Sequence, residues 1–267
     1  MNPSNETTRS IDIGGRRLAL TTSGRDAPTV VLETGLGAES DEWAAVQRAI
    51  APFARVCRYD RAGRGASDPA ARPRSAADLV ADLHTLLQGA DLAPPYLLVG
   101  HSFGGLLVRL FAHRHRALVA GLVLVDAMHE DQFGIFGPTF PPPRPDEPAE
   151  LAATREFWTR GWRDPRSTQE GLNLVASCEQ ARAIESLGDL PLHVLSAGTF
   201  LNQPLVPEQI RPRLQGLWDG LQQRLAGLSA RSMRSAISGC GHFLQREAPQ
   251  QVAAAIAAML LRVRCAA

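Results

Sequence analysis

Several short runs of this chain are almost entirely apolar, and this feature constrains the fold more than any other. In Leu122-Val123-Leu124-Val125 every side chain is aliphatic, so a strand formed there would be buried on both faces. Strands of this kind are typical of parallel sheets that are covered by helices. Eight β-rich runs recur along the chain. They are residues 10–13, 17–22, 29–33, 54–59, 96–100, 121–125, 192–196 and 233–237.

Segments with the period of an amphipathic helix lie between these runs. Ser75 and Asp78 have the spacing of a capping box, ahead of a leucine stripe that ends at Gly89. Pro249 stands where a first-turn proline would open the last helix. Strands that alternate with helices predict an α/β fold, in which a mostly parallel sheet is flanked by helices. The length of 267 residues suits one such domain with an insertion.

The regular alternation stops after the sixth run. Six prolines lie between residues 138 and 148, which predicts a stiff connection, with a ligand segment for a partner domain as the alternative. Beyond them, Ser167 and Glu170 have the spacing of a second capping box, which predicts a helix through Leu172. We therefore predict two parts, a core domain at residues 1–130 and 189–267 and an inserted helical cap at residues 131–188.

The charge and hydropathy of the chain exclude several classes of partner. The formal net charge is +1 and charged residues make up 21% of the chain, so no strong field would collect nucleic acid or an anionic membrane. No apolar stretch has the length of a signal-peptide core or of a membrane span. We expect a soluble, cytoplasmic protein that is a monomer or a homodimer and acts on a small molecule.

The cysteines and histidines do not form a metal-binding pattern. The four cysteines are widely scattered and lack the paired spacing of a zinc site. Their distribution favours buried free thiols and leaves one disulfide as the alternative. No two histidines have ligand spacing with a supporting carboxylate nearby. We expect neither a metal nor a cofactor.

The sequence GHSFGG at residues 100–105 is the strongest indication of chemistry. It follows an apolar run at residues 96–99 and precedes an apolar stripe with helical period. Between a strand and a helix, G-x-S-x-G is typical of a nucleophile elbow, a sharp turn with room only for small residues on either side of the serine. The alternative is a strand-ending turn in which Ser102 only caps a helix.

With two further motifs, this chain resembles the α/β-hydrolase superfamily over nearly its whole length apart from the cap. The sequence YDRAGRGASD at residues 59–68 is similar to the superfamily's loop after an early core strand. The sequence GCGHF at residues 239–243 is similar to its late histidine loop. The resemblance implies an eight-stranded, mostly parallel sheet with helices on both faces, a nucleophile on the elbow, and a lid inserted after the sixth strand.

A serine hydroxyl is a weak nucleophile near neutral pH, so it needs an imidazole to take its proton and a carboxylate to orient that imidazole. We predict His242 as the base, because it follows the last β-rich run in a glycine-flanked loop. We predict Asp126 as the acid, because it ends a buried run at the carboxyl edge of the sheet. Most members of the superfamily carry the acid after the seventh strand, where Glu208 and Asp219 are the nearest carboxylates and remain alternatives.

An oxyanion hole requires two backbone N–H groups that point at the developing negative charge. Phe103, directly after the nucleophile, would supply one of them. The resemblance implies that the loop at residues 33–37 supplies the other from Leu36. Glu33-Thr34 stands where the superfamily usually has His-Gly, so the hydrogen bonds of this loop must differ. The alternative is a simple glycine-rich turn.

The predicted function is that of a serine hydrolase that cleaves carboxylic esters or related acyl bonds through an acyl-enzyme. The same residues could serve a C–C bond hydrolase, a lactonase, a thioesterase, an amidase or a perhydrolase, because fold and triad do not determine the substrate. A dehalogenase or epoxide hydrolase is disfavoured, since the resemblance would require an aspartate where Ser102 stands. A small-molecule receptor that retains the fold without turnover is the alternative from another class.

Two further groups of residues bear on the substrate. Six aromatic residues of the cap would form its core or an apolar roof over the site. The arginines of the loop at residues 61–64 would either attract an anionic substrate or pair with Asp60 or Asp68. The six aromatic residues are Phe133, Phe136, Phe140, Phe157, Trp158 and Trp162.

Overall fold

The computed structural model describes residues 6–199 and 211–265, and its centre is one eight-stranded sheet. The strand order is β1-β2-β4-β3-β5-β6-β7-β8. Strands β1 and β2 are antiparallel to their neighbours, and all other pairs are parallel, as the sequence predicts. The strands are β1 Thr7–Asp12, β2 Arg17–Ser23, β3 Thr29–Glu33, β4 Val56–Tyr59, β5 Tyr96–His101, β6 Val119–Val125, β7 Leu192–Ala197 and β8 Ser232–Ile237.

Helices follow most strands and cover the sheet. The capping box of Ser75 and Asp78 is present at the start of α2, and Pro249 occupies the first turn of α9, as predicted. The helices in the described part of the chain are α1 Ala44–Ile50, α2 Ala76–Gly89, α3 Phe103–Arg114, α4 Gln132–Phe136, α5 Ala149–Thr159, α6 Leu174–Arg182, α7 Arg211–Ala226, α8 Leu244–Glu247 and α9 Pro249–Arg264.

The apolar run in β6 supplies core residues to both faces of the sheet. Leu122 and Leu124 belong to the layer that includes α2 and α3, whereas Val123 and Val125 belong to the layer that includes α1 and α9. Alternate side chains of a strand point to opposite faces, so an unbroken aliphatic run fills both layers. Because strands β3 to β8 are parallel to one another, their carboxyl ends lie along one edge of the sheet.

The chain between β6 and β7, which the sequence assigns to a cap, contains α4, α5 and α6. The predicted capping box of Ser167 and Glu170 is wrong. Helix α6 begins at Leu174, where the side chain of Asn173 accepts a hydrogen bond from Ala176 N at 3.0 Å. Ser167 ends a short 3-10 helix, and Glu170 pairs with an arginine of the core. The carboxylate of Glu170 therefore forms an ion pair with Arg61 and does not cap a helix.

None of the helices within residues 6–199 and 211–265 is long and apolar enough to cross a membrane.

All four cysteines are free thiols. Cys57 and Cys178 are buried as expected, whereas Cys240 is half-buried and Cys265 is exposed.

Candidate active site

Ser102 lies on a sharp turn between β5 and α3. Its φ is 52° and its ψ is −120°, a conformation that is strained for a residue with a side chain and common at functional sites. The flanking glycines are needed for close approach. A Cβ at Gly100 would collide with the carbonyl group of Gly104, and a Cβ at Gly105 would collide with Ala127. The half-buried Ser102 is therefore raised at the carboxyl edge of the sheet by a backbone that only small neighbours permit.

Asp126 and His242 are joined by a short hydrogen bond. Asp126 follows β6, is fully buried, and accepts a hydrogen bond from Nδ1 of His242 at 2.6 Å. Its other oxygen, Oδ1, accepts bonds from Ala197 N and from Nε1 of Trp218, both at 2.8 Å. An imidazole that donates from Nδ1 carries its lone pair on Nε2, which is the tautomer a general base needs.

The alternative acids do not share this arrangement. Asp219 lies on α7 and forms an ion pair with Arg234 at 2.9 Å. Glu208 lies outside the described residues. Of the carboxylates that the structure describes, Asp126 is the one bonded to His242.

His101, the residue before Ser102, connects the elbow to the histidine loop. Gln245 of α8 donates to Nδ1 of His101 at 3.1 Å, so the His101 proton lies on Nε2, which donates to the carbonyl oxygen of His242 at 2.9 Å. Burial and the adjacent His242 lower the pKa of His101 well below its ordinary value of 6.5, and the ring is neutral. Sequence analysis did not assign this role, because the partner lies 141 residues away.

The glycine-rich loop after β3 lies against the elbow. A Cβ at Gly104 would lie 2.5 Å from the carbonyl oxygens of Glu33 and Thr34, and a Cβ at Gly35 would lie 3.3 Å from Cβ of Ser102. Leu36 is the next residue of this loop and is half-buried. The two predicted oxyanion-hole residues, Leu36 and Phe103, thus belong to backbone segments that contact each other beside Ser102.

A buried ion cluster formed by Arg61, Glu33 and Glu170 binds the same loop. Arg61 donates to Glu33 and to Glu170, each at 2.7 Å, and Tyr59 donates its hydroxyl proton to Glu33. Burial raises the pKa of Glu33 despite the neighbouring Arg61. Burial also acts to raise the pKa of Glu170, but the guanidinium of Arg61 outweighs it and lowers that pKa below its ordinary value.

These contacts replace the arginine pairings that sequence analysis considered. Asp60 instead accepts hydrogen bonds from the backbone N–H groups of Ser40 and Ala66. Asp68 accepts a hydrogen bond from the backbone N–H of Arg17 at 2.8 Å. Because Arg61 is only 3% exposed, its charge is not available to an anionic substrate in solution.

The cap aromatics pack mainly against one another. Phe133 stacks on Trp162 with ring centroids 4.5 Å apart and also contacts Trp158 at 5.2 Å. Phe136 lies 6.1 Å from Trp218, whose ring lies 6.1 Å from that of His242. These aromatic residues, most of which lie between β6 and β7, therefore form an apolar cluster with one extension toward the candidate site.

Within the described ranges, no group of three or more His, Cys, Asp or Glu residues is arranged to hold a metal ion.

The sheet topology, the elbow and the acid–histidine pair define the class of this protein as an α/β-hydrolase. The sequence profile of the alpha/beta hydrolase fold family matches residues 28–163, and the chain belongs to this family.

One curated relative matches most of the chain in sequence. YqjL of Bacillus subtilis is 29% identical over 233 residues, which are 87% of this chain and 83% of YqjL. Two other curated relatives match through segments that make up only 18% and 33% of their own lengths.

Solved structures with the same fold include an esterase and a haloalkane dehalogenase. A thermophilic esterase from Thermogutta terrifontis has a TM-score of 0.66 at 19% identity, covering 96% of this chain and 99% of that one. A haloalkane dehalogenase variant from Bradyrhizobium elkanii has a TM-score of 0.72 at 16% identity, covering 98% of both chains. At these identities the likeness concerns the fold alone.

Proposed function

We propose that this chain is a serine hydrolase that cleaves carboxylic esters or related acyl bonds through a covalent acyl-enzyme. The observation that carries the proposal is the 2.6 Å bond between Asp126 and His242, made at the edge of the sheet where Ser102 stands on its elbow. A buried carboxylate bound to Nδ1 of a histidine, beside a strained serine, is the arrangement that activates a hydroxyl nucleophile.

The proposed mechanism has two halves. Ser102 attacks the substrate carbonyl while His242 takes the hydroxyl proton, and Asp126 stabilises the resulting imidazolium. The N–H groups of Leu36 and Phe103 bind the oxyanion of the tetrahedral intermediate. Its collapse breaks the ester C–O bond, and His242 protonates the departing alcohol. Water, deprotonated by His242, then attacks the acyl-enzyme; the acyl–Oγ bond breaks, His242 returns the proton to Ser102 Oγ, and the acid is released.

The proposed substrate is a small acyl compound, and the reaction as written needs no cofactor. An apolar acyl or aromatic group would suit the aromatic extension from Phe136 to Trp218. C–C bond hydrolase, lactonase, thioesterase and perhydrolase activities would use the same residues. Turnover of the corresponding substrates distinguishes these activities from ester hydrolysis. We place the activity in the cytoplasm, in a monomer or homodimer without a nucleic-acid or membrane partner.

Dehalogenase chemistry is not the function we propose, although a structural neighbour is a haloalkane dehalogenase variant. The superfamily resemblance requires an aspartate nucleophile for that reaction, and this chain has Ser102 on the elbow. A receptor that does not turn over its ligand is the alternative outcome of the test below.

The proposal is tested by labelling with a fluorophosphonate and by burst kinetics with nitrophenyl esters. We expect a single phosphonylated residue, Ser102, in the mass spectrum and an alcohol burst that matches the number of labelled sites. The variant Ser102→Ala is the blank, and Ser186→Ala, which changes an exposed serine in the connection to β7, is the matched control. An unlabelled Ser102 with no burst for short or medium acyl chains would favour the receptor.

A further inference from the structure

The peptide unit between Gly35 and Leu36 carries the N–H group that we assign to the oxyanion hole. The carbonyl oxygen of the same unit belongs to Gly35, and it accepts a hydrogen bond from Nη2 of Arg61 at 2.6 Å. This peptide bond is not among the cis bonds of the described chain, so its C=O and N–H groups point in opposite directions. A donor that holds the oxygen on one side therefore determines where the Leu36 N–H points on the other.

Arg61 is itself held in one orientation. Its Nε and Nη2 atoms donate to the two carboxylate oxygens of Glu170, each at 2.7 Å. Its Nη1 atom donates to Glu33 at 2.7 Å and to the carbonyl oxygen of Thr34 at 2.8 Å. A guanidinium group has five N–H donors in a fixed plane, and all five have acceptors here. The plane of Arg61 cannot rotate without breaking several of these bonds.

The cluster also holds the next peptide unit of the loop. Gly37 N donates to Oε1 of Glu170 at 2.7 Å. The two peptide units on either side of Leu36 are therefore bonded, one to Arg61 and the other to the carboxylate that pairs with Arg61. Leu36 therefore has little freedom to reorient its N–H.

The charge of Arg61 adds an electrostatic effect to this alignment. A hydrogen bond from a buried cation is stronger than one from an amide, and it polarises the peptide whose oxygen it binds. The other predicted donor lacks this support, because the carbonyl oxygen of the Ser102–Phe103 peptide accepts from the backbone N–H groups of Met128 and Gly105. The Gly35 carbonyl oxygen also accepts a longer bond from Ala38 N at 3.3 Å, so the Leu36 donor is supported by a charge and one amide, and the Phe103 donor by amides alone.

We propose that Arg61 is a positioning residue of the oxyanion hole, which aims and polarises the Leu36 N–H through the carbonyl oxygen of Gly35. Glu170, from the segment between β6 and β7, and Glu33 hold the guanidinium in place. This inference rests on the proposed function, since the Leu36 N–H acts only when an oxyanion forms. It does not involve contact between Arg61 and the substrate.

The first test measures turnover in the variants Arg61→Met and Arg61→Lys, expressed per phosphonylated site so that misfolded protein is not counted. Losing one oxyanion-hole donor lowers kcat by roughly 10² to 10³. We expect a loss of about 10² for Arg61→Met, a smaller loss for Arg61→Lys, and KM values within about threefold of wild type, because ground-state binding is untouched. In Arg61→Ala, guanidinium ion should restore part of kcat and methylammonium should not.

The matched control is Arg64→Met, three residues along the same loop. Arg64 bonds to Gln169 at 3.0 Å and pairs with Glu39 at 3.5 Å, and it makes no bond to the loop peptides among the contacts of the described residues. Its kcat per site should stay within about twofold of wild type. A kcat per labelled site that does not fall in either Arg61 variant would overturn the proposal.

The second test needs no turnover. The backbone amide resonance of Leu36, followed in ¹⁵N-labelled protein, should move in Arg61→Lys and in Glu170→Gln, while that of Met128 stays in place. An unmoved Leu36 resonance refutes the role of Arg61 even if kcat falls. If wild type neither hydrolyses esters nor is labelled, but the Leu36 resonance moves in both variants, the proposed function fails while the hold of Arg61 on this peptide stands.

Discussion

The imidazole of His101 donates a hydrogen bond to the main-chain carbonyl oxygen of His242, over 2.9 Å. The residue next to the candidate nucleophile therefore holds the loop of the candidate base. Gln245 supports this contact from α8, and the side chain of Glu42 accepts a bond from Gln245 at 3.0 Å. The elbow, the histidine loop and the segment before α1 are linked by one chain of hydrogen bonds.

Removing the His101 donor should lower turnover. His101→Leu leaves the His242 carbonyl without its partner, so the loop is less well held, and we expect kcat to fall by about tenfold. His101→Gln retains a donor near the same position and should lose less. Initial rates with a nitrophenyl ester, corrected for labelled sites, measure both. Equal rates in wild type and His101→Leu would show that the loop does not depend on this bond.

His101 should also make the stability of the fold depend on pH. Its pKa lies well below 6.5 in the folded protein and near 6.5 in the unfolded chain, so below pH 6.5 the unfolded state binds more protons and the free energy of unfolding falls. At pH 5.5 the free energy of unfolding should therefore be lower than at pH 7.5, by an amount on the order of 1 kcal/mol from this one residue.

Urea unfolding of wild type and His101→Gln at these two pH values measures the effect. The variant should lose less stability on acidification, by about the amount stated. His129, whose pKa burial lowers to about 4, and His193, whose pKa burial also lowers, add to the slope in both proteins and cancel in the comparison. Identical slopes would mean that His101 is protonated within the fold.

Asp126 should be essential for turnover. In Asp126→Asn the histidine loses the carboxylate that orients it, and we expect kcat to fall by about 10² to 10⁴. Asp219→Asn is the matched control, because Asp219 pairs with Arg234 and not with His242. If Asp219→Asn were inactive and Asp126→Asn fully active, the acid would be misassigned.

Trp218 should support Asp126 through its indole N–H. Trp218→Phe removes the donor to Oδ1 while keeping an aromatic ring, and we expect a stability loss of about 1 to 3 kcal/mol together with lower kcat. Trp43→Phe is the control, since Trp43 is fully buried but its Nε1 has no hydrogen-bond partner among the described residues. Denaturant unfolding compares the two, and an equal kcat loss in both variants would argue against the bond.

Gly104 should tolerate no side chain. In Gly104→Ala the new Cβ would lie 2.5 Å from the carbonyl oxygens of Glu33 and Thr34, so the loop that carries Leu36 must move away from the elbow. We expect kcat to fall by about 10², as for loss of an oxyanion-hole donor. Gly134→Ala is the control, because a Cβ there has no neighbour within 4 Å. The prediction is tested by measuring kcat per active site, with the sites counted by active-site titration. A wild-type kcat in Gly104→Ala would contradict this packing.

Local patterns in the chain were sufficient to predict the strands and the elbow. Each of the eight β-rich runs overlaps one strand, and the capping box at Ser75 begins α2 as expected. These features depend on side chains a few residues apart, so periodicity alone reveals them. The sequence indicated Ser102 through the G-x-S-x-G pattern, and Asp126 and His242 through their places after β-rich runs; the catalytic roles of these residues belong to the proposed function.

The contacts that hold the site in shape follow from long-range packing and have no local signature. Glu170 has the spacing of a capping box, yet it pairs with Arg61 from 109 residues away, and His101 bonds to a carbonyl 141 residues away. A buried charge must be paired, but the partner depends on where an insertion folds back against the sheet, which no short window of sequence encodes. The chain thus specifies locally which groups lie at the site, whereas the packing of distant segments specifies how those groups are oriented.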